Sequence, residues 1–268
     1  MVYISNLAAG LERGLDRPSF LLEAVAPFEG AAGIELFFHD HDAAYRERLA
    51  GAASWLGDLP RTAHGPFMRV EATSAPGSAQ ANALLDAYRW AFETAAMLGC
   101  REMVFHTHQR VIGEAEKARC QDNCRENLSR LIRLGAQHGI RLLIENLGIQ
   151  RQGVSLFDEE DFFELIDDFP QAGCLIDVGH LNVAGWDVGR VCARLGNRIC
   201  GYHLHNNDGH LDSHRPIDEG TFDFPAFYAI YRRYTPNAHL TLEYGDGPQI
   251  TPGRLSADLR QVINGVSG

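Results

Sequence analysis

The sequence predicts a single closed (β/α)8 TIM barrel, on three observations. Eight short, β-branched or apolar segments alternate along the whole chain with segments of helical periodicity. The length, 268 residues, matches the roughly 250 that such a barrel needs. Nearly every strand-like segment from the third onward ends in a residue that can bind a metal, and in a barrel those ends converge on one mouth.

The strand candidates are residues 2–7, 33–38, 61–67, 102–108, 141–147, 173–180, 199–207 and 239–245. Between them the clearest helix is 82–98, where Leu84, Leu85, Tyr88, Phe92, Ala95 and Ala96 form one stripe before Gly99 stops it. A second runs from about 114 to 138 and ends at Gly139. Asp158 opens a third, with acids in the first turn where the helix dipole favours them. Asp223 caps a fourth, Pro225 fits its N1 position, and it runs through Tyr234. A doubly wound sheet would show a Gly-rich phosphate turn after an early strand, and "LAAGLERG" does not supply one. No repeat, low-complexity tract or composition shift divides residues 1–268, so one domain is expected.

Composition narrows the function classes. Apolar residues make up 45% of the chain, enough for a large core, and no apolar run approaches the ~20 residues of a membrane span. The opening "MVYISNLAAG" lacks the pattern of a secretory signal, so a soluble, cytoplasmic protein is expected. The net charge of −11 argues against a broad basic face for nucleic acid. Six scattered cysteines suggest reduced thiols, and Cys120 with Cys124, one turn apart, read better as a packed helix face than as a metal clamp. Oligomeric state is left open, a homo-oligomer included.

The candidate chemistry lies at the strand ends. It comprises His64, His106 with His108, Glu145, Asp177 with His180, His203 with His205, and Glu243, while the loop after strand seven adds Asp208, Asp212 and His214. A single histidine or carboxylate there is more often an ordinary hydrogen-bonding group. Several carboxylates converging in one shielded cavity, however, need a counter-cation. A mixed imidazole and carboxylate set suits Zn2+, Mn2+ or Fe2+ rather than Ca2+.

"LIENLG", "LIDVGHLNVAGWD", "YHLHNNDGHLDSHRPIDEGTFDF" and "TLEYG", with Glu35, "AHGPF" and "VFHTH", resemble the xylose isomerase-like TIM-barrel superfamily. That group includes sugar isomerases and epimerases and the endonuclease IV class of apurinic-site endonucleases. The isomerase pattern implies one divalent metal (Mn, Zn or Co) on Glu145, Asp177, His203 and Glu243, with Glu145 and Glu243 exchanging protons beside a sugar carbonyl. The implied substrate is a small carbohydrate. The endonuclease pattern implies up to three metals: His64, His106 and Glu145 for the first, the same four residues for the second, and His180, Asp212 and His214 for the third. Against that pattern stand the opening "YISNLAAG", the threonine of "FHTHQR", the segment "HLHNNDG" and the absence of a basic loop with an aromatic wedge. Related barrel lyases and a non-catalytic binder remain as further classes.

Three more residues are candidates for the substrate. Glu35 fits a sugar hydroxyl or a structural hydrogen bond. Trp186 fits an apolar wall or the core, and Arg215 fits an anionic substrate group or a surface ion pair. His39 and His41 in "FFHDHD" read as a solvated loop rather than a metal tract.

Overall fold

The computed structural model describes residues 1–39, 43–147 and 154–268, the side chains of residues 11–13 excepted. His41 and Gly148 of the motifs above lie outside the described residues. Eight strands close into one barrel in sequence order: β1 (Val2–Ser5), β2 (Ala32–Phe37), β3 (Arg61–His64), β4 (Glu102–Phe105), β5 (Arg141–Glu145), β6 (Gly173–Asp177), β7 (Ile199–Leu204) and β8 (His239–Leu242). Every neighbouring pair is parallel, and β8 closes on β1 through Leu242 opposite Ile4.

Helices cover the outside. α1 (Leu11–Asp16) and α2 (Pro18–Val25) follow β1, and α3 (Ala43–Gly51) with α4 (Ala53–Leu56) follow β2. Then come α5 (Ala79–Met97), α6 (Lys117–Gln137), α7 (Glu159–Asp168), the pair α8 (Val178–Ala184) and α9 (Val188–Leu195), α10 (Phe224–Tyr234) and α11 (Pro252–Ser267). Their starts follow capping chemistry. Ser78, Asp158 and Asp223 each accept a hydrogen bond from the backbone N–H three residues on, satisfying a donor the helix itself cannot. In the stripe of α5, Leu84, Tyr88, Phe92 and Ala95 are buried while Leu85 and Ala96 are partly so, and Gly99 ends it at φ +83°. Cys120 and Cys124 are buried on α6, the first accepting from Arg110 Nη2 at 2.9 Å, and all six cysteines are free thiols. Among the described residues no helix is long and apolar enough to cross a membrane.

Two expectations need correction. The sixth strand does not run to residue 180: Asp177 turns the chain into α8 by accepting from His180 N–H at 2.8 Å. His39 is not solvated but 2% exposed, enclosed by the rings of Phe37, Tyr45 and Phe67.

Period-two alternation decides what fills the barrel. Val104, Leu143 and Leu175 form a small apolar cluster separate from the main core. Each stands two residues before a candidate donor (His106, Glu145, Asp177), so the donors sit above a dry apolar floor that strengthens every charge interaction above it. Below that floor the ring of His239 fills the space beside Gly201, where a Cβ would lie 2.3 Å from Nε2.

Candidate metal centre

The strand ends bring four sequence-predicted residues around one point. Glu145 and Asp177 end β5 and β6, His203 lies near the end of β7, and Glu243 directly follows β8. Around His203 Nδ1 stand Glu145 Oε1 at 3.2 Å, Glu243 Oε2 at 3.3 Å and Asp177 Oδ2 at 3.8 Å. All four side chains are buried.

Two further groups adjoin this one. His64 Nε2 and His106 Nε2 face each other at 3.1 Å, and Glu145 Oε2 lies 2.7 Å from the latter. Asp212 Oδ2 lies 3.1 Å from His180 Nε2 and 3.2 Å from His214 Nε2. In each of the three groups the potential ligand atoms fall within 4.8 Å of one another.

The hydrogen bonds behind these rings decide which nitrogen is free. His64 Nδ1–H donates to Gly65 O at 3.0 Å, His180 Nδ1–H to Asn146 O at 2.8 Å and His214 Nδ1–H to Glu243 O at 2.9 Å. Each bond leaves the Nε2 lone pair directed into the cluster, the arrangement by which second partners orient metal-binding histidines. At His106 the direction is reversed: the Gln109 amide N–H donates to Nδ1 at 2.7 Å, so the neutral ring carries its hydrogen on Nε2. Glu145 Oε2 is buried with no hydrogen-bond partner although two ring nitrogens approach it. Ring nitrogens and an unpaired carboxylate oxygen aimed into these groups fit divalent cations.

Electrostatics carry the same strain. Burial pushes Glu243 up to about 8, with Glu145 and Asp177 adding repulsion that His203 and His214 only partly offset. For Glu145 burial acts in the same direction, but His106 and His203 outweigh it and hold the carboxyl well below the usual range. Asp177 is held at about 2 by His180 and His205 against burial. Burial lowers His64 well below an ordinary histidine. Against burial, Asp212 and Glu243 raise His214 to about 9. A cluster that sets its carboxylates and imidazoles this far apart is short of positive charge.

The groups open into a cavity of about 260 Å³ between β-strand ends. Leu7, Phe37, Phe67 and Leu147 form its apolar side. Phe37 stacks on His64 at 4.0 Å and 7°, and Phe67 stands edge-on to the same ring at 5.3 Å, fixing its plane.

Not every candidate reaches this mouth. Glu35 is fully buried beneath it, with Oε1 3.1 Å from His203 Nε2, so it faces an imidazole rather than a sugar hydroxyl. Trp186 is outside the cavity lining because its indole packs against Phe162 of α7, 5.9 Å between ring centres. Arg215 is exposed, its backbone paired with Asn206, and it does not line the cavity. Asp208 is spent on a local turn, accepting from His210 N–H and Leu211 N–H. His108 lines the cavity but belongs to none of the three groups.

His205 was absent from the predicted ligand sets, yet it joins the third group. Its signal was available in "HLH", since residues 203 and 205 share a face of an extended chain. The asparagines that brace the site carried no such signal. Asn146 Oδ1 accepts from Asp177 N–H and its Nδ2 donates to Asp177 O, while Asn207 Nδ2 donates to Gly179 O.

Comparison with known proteins follows the same architecture. A D-tagatose 3-epimerase-like protein superposes with a TM-score of 0.77 at 19% identity, covering 99% of this chain and 98% of the other. The IOLI protein, solved with a bound zinc atom, gives 0.74 at 14% identity, covering 99% and 98%. An uncharacterized protein of Methanocaldococcus jannaschii is 32% identical over 107 residues, a stretch spanning 38% of this chain and only 36% of that relative. The family model described as xylose isomerase-like TIM barrel matches residues 22–263, and the chain belongs to that family.

Proposed function

We propose that this chain is a divalent-metal-dependent sugar isomerase or epimerase, acting on a ketose or keto-sugar through an enediolate. One observation carries the reading: two buried glutamates of opposite protonation tendency approach the same imidazole nitrogen from different strands. Glu145, held low, is the base that takes a proton from the carbon beside the carbonyl. Glu243, which reaches the same nitrogen from the end of β8, is the group that returns a proton. A cation on Glu145, Asp177, His203 and Glu243 would supply the Lewis acidity that polarises the carbonyl and stabilises the developing negative charge. The cation-type donor set, with imidazole and carboxylate together, fits manganese, zinc or cobalt.

The cavity supports a small substrate. At about 260 Å³ it lies just below the ~300 Å³ lower bound of ordinary small-molecule sites, and its mixed lining suits a compact polyol with one apolar ring face. The epimerase-like neighbour and the zinc-bound one agree with this choice. A net charge of −11 disfavours a polyanion.

A second reading, a metal-dependent phosphodiesterase acting on abasic DNA, is favoured by the two accessory donor groups, which a one-metal isomerase does not need. Incubating a ketose panel in deuterated water tests the choice. The proposed reaction places deuterium beside the carbonyl, and Glu145→Gln or Glu243→Gln lowers that exchange at least ~10²-fold. Metal content measured on both variants separates proton transfer from ligand loss. No exchange on the panel, together with metal-dependent nicking of an abasic duplex, would reverse the choice.

A further inference from the structure

We propose that His205 is a positioning residue that couples two metal-binding groups, fixing Asp177 of the first with its ring edge and carrying His214 of the third on its ring face. The inference rests on the third group taking up an ion as well as the one in the proposed function, and a wild-type chain that binds a single zinc would overturn it.

His205 follows β7 and is completely buried. Its Nε2 lies 3.0 Å from both carboxylate oxygens of Asp177, so the Nε2–H is a donor held in the fork of that carboxylate. The opposite nitrogen, Nδ1, is buried and has no hydrogen-bond partner. The ring lies parallel to His214, 3.9 Å between centres at 17°. Two parallel imidazoles at that spacing cannot turn their lone pairs onto one ion, and Nε2 of His205 is already engaged. Its part in the third group is therefore support rather than ligation. Asp212 Oδ1, 3.6 Å from the same Nε2, completes the link to the third group.

The other side of the ring explains a glycine. A Cβ on Gly179 would lie 1.9 Å from His205 Cε1 and 2.4 Å from Nδ1. Gly179 sits in α8 with an ordinary backbone, where alanine is the better helix former by ~1 kcal/mol. The position is thus closed to alanine by the imidazole and not by its own dihedral angles. Gly179 and His214 together form a slot one ring thick, and Asn207 holds the Gly179 wall in place through its carbonyl at 2.8 Å.

Zinc alone is the probe, and competition with a chromophoric chelator reads its affinity at each step while elemental analysis reads the number bound. His205→Ala is expected to weaken the ions of both groups by ~10–100-fold, the usual effect of losing an outer-shell partner. His205→Gln, whose amide reaches Asp177 but offers no ring for His214, should restore the affinity of the Asp177 group and leave the third weak. Gly179→Ala touches no donor atom and should reproduce the His205→Ala loss in the native background. In the His205→Ala background, with the ring gone, it should add nothing, which makes the pair a double-mutant cycle. His210→Asn, an exposed histidine of the same loop, is the control and should change no step. Equal zinc affinities in wild type and His205→Ala, or an equal cost of Gly179→Ala in both backgrounds, would overturn the coupling alone. A wild-type chain that takes up no zinc would overturn the metal reading beneath it.

Discussion

Removing metal should destabilise the fold by an amount that can be worked out beforehand. Glu35, Glu145, Asp177 and Glu243 are all at most 3% exposed and crowd around His203, which is wholly buried. Their repulsion is part of the folded state and absent from the unfolded chain, so a cation that binds only the folded state relieves it. At an ion concentration of 100–1,000 times Kd the gain is about 2.7–4.1 kcal/mol per site. With ~2.1 cal/mol/K of unfolding entropy per residue, a chain of 268 residues has about 0.56 kcal/mol/K. The expected rise in Tm is therefore about 5–7 °C for one ion, and about 15–22 °C if three sites fill independently. Thermal unfolding after dialysis against a chelator, then with added zinc, manganese or cobalt, measures it. Calcium, which prefers all-oxygen sites, should give a smaller shift. A Tm that neither chelator nor any of the three ions moves by more than about 1 °C would refute the argument that the cluster is held together by a missing positive charge.

Two predictions concern parts of the barrel away from the mouth. Burial, His203 and the N-terminal amine lower His239 to about 3, while Glu102 Oε2 stands 3.7 Å from its Nδ1. The unfolded chain thus binds a proton here near pH 6.5 that the folded one refuses until about pH 3, so this stability is complete above 6.5 and lost as pH falls toward 3. His239→Leu should flatten that part of the stability–pH curve, by a total on the order of 4–5 kcal/mol, and an unchanged slope in urea unfolding would count against it. Tyr244 Oη accepts from Ile217 N–H at 3.1 Å and donates to Asp258 Oδ2 at 3.0 Å, tying the loop after β7 to α11. Tyr244→Phe leaves the Ile217 donor buried and unpaired, at about 1–3 kcal/mol in urea unfolding, with metal content unchanged.

The barrel was legible because its signals are local. Each strand is a short apolar run, and each helix carries its own stripe and cap. The donors were legible for a related reason, since a polar residue ending an apolar strand has few other places to go than the mouth. Boundaries were less so: His106 and Glu243 lie one residue past the ends of β4 and β8, although Glu243 N–H still donates to Leu204 O of β7 at 3.1 Å. Side-chain direction was the real limit. Glu35, Trp186 and Arg215 have the chemistry of a sugar site, but one points at His203 from below, one packs on α7 and one faces solvent. Nothing in the local pattern of residues 179 and 205 announces that one must be glycine because the other is histidine. That fact exists only where β6 and β7 lie side by side.

The same contrast between local signal and long-range bracing gives a last prediction, on Asn146. This residue is 2% exposed and makes three contacts to β6 and α8: Oδ1 to Asp177 N–H at 2.8 Å, Nδ2 to Asp177 O at 3.1 Å, and its carbonyl to His180 Nδ1–H at 2.8 Å. Asn146→Leu keeps the volume and the carbonyl but removes both side-chain bonds. Loss of a buried pair lowers stability by about 1–3 kcal/mol in the absence of metal. If the bonds also aim Asp177, metal affinity falls a further ~10–100-fold. At an ion concentration that is 1,000 times the wild-type Kd, the metal-induced gain then drops from about 4.1 to about 1.4–2.7 kcal/mol. Thermal unfolding of wild type and variant, each with and without zinc, separates the two effects, because the first lowers both curves and the second narrows the gap between them. A variant that is less stable but gains as much from zinc as wild type would reduce Asn146 to a strand-to-strand brace, leaving the aim of Asp177 to His205 and the start of α8.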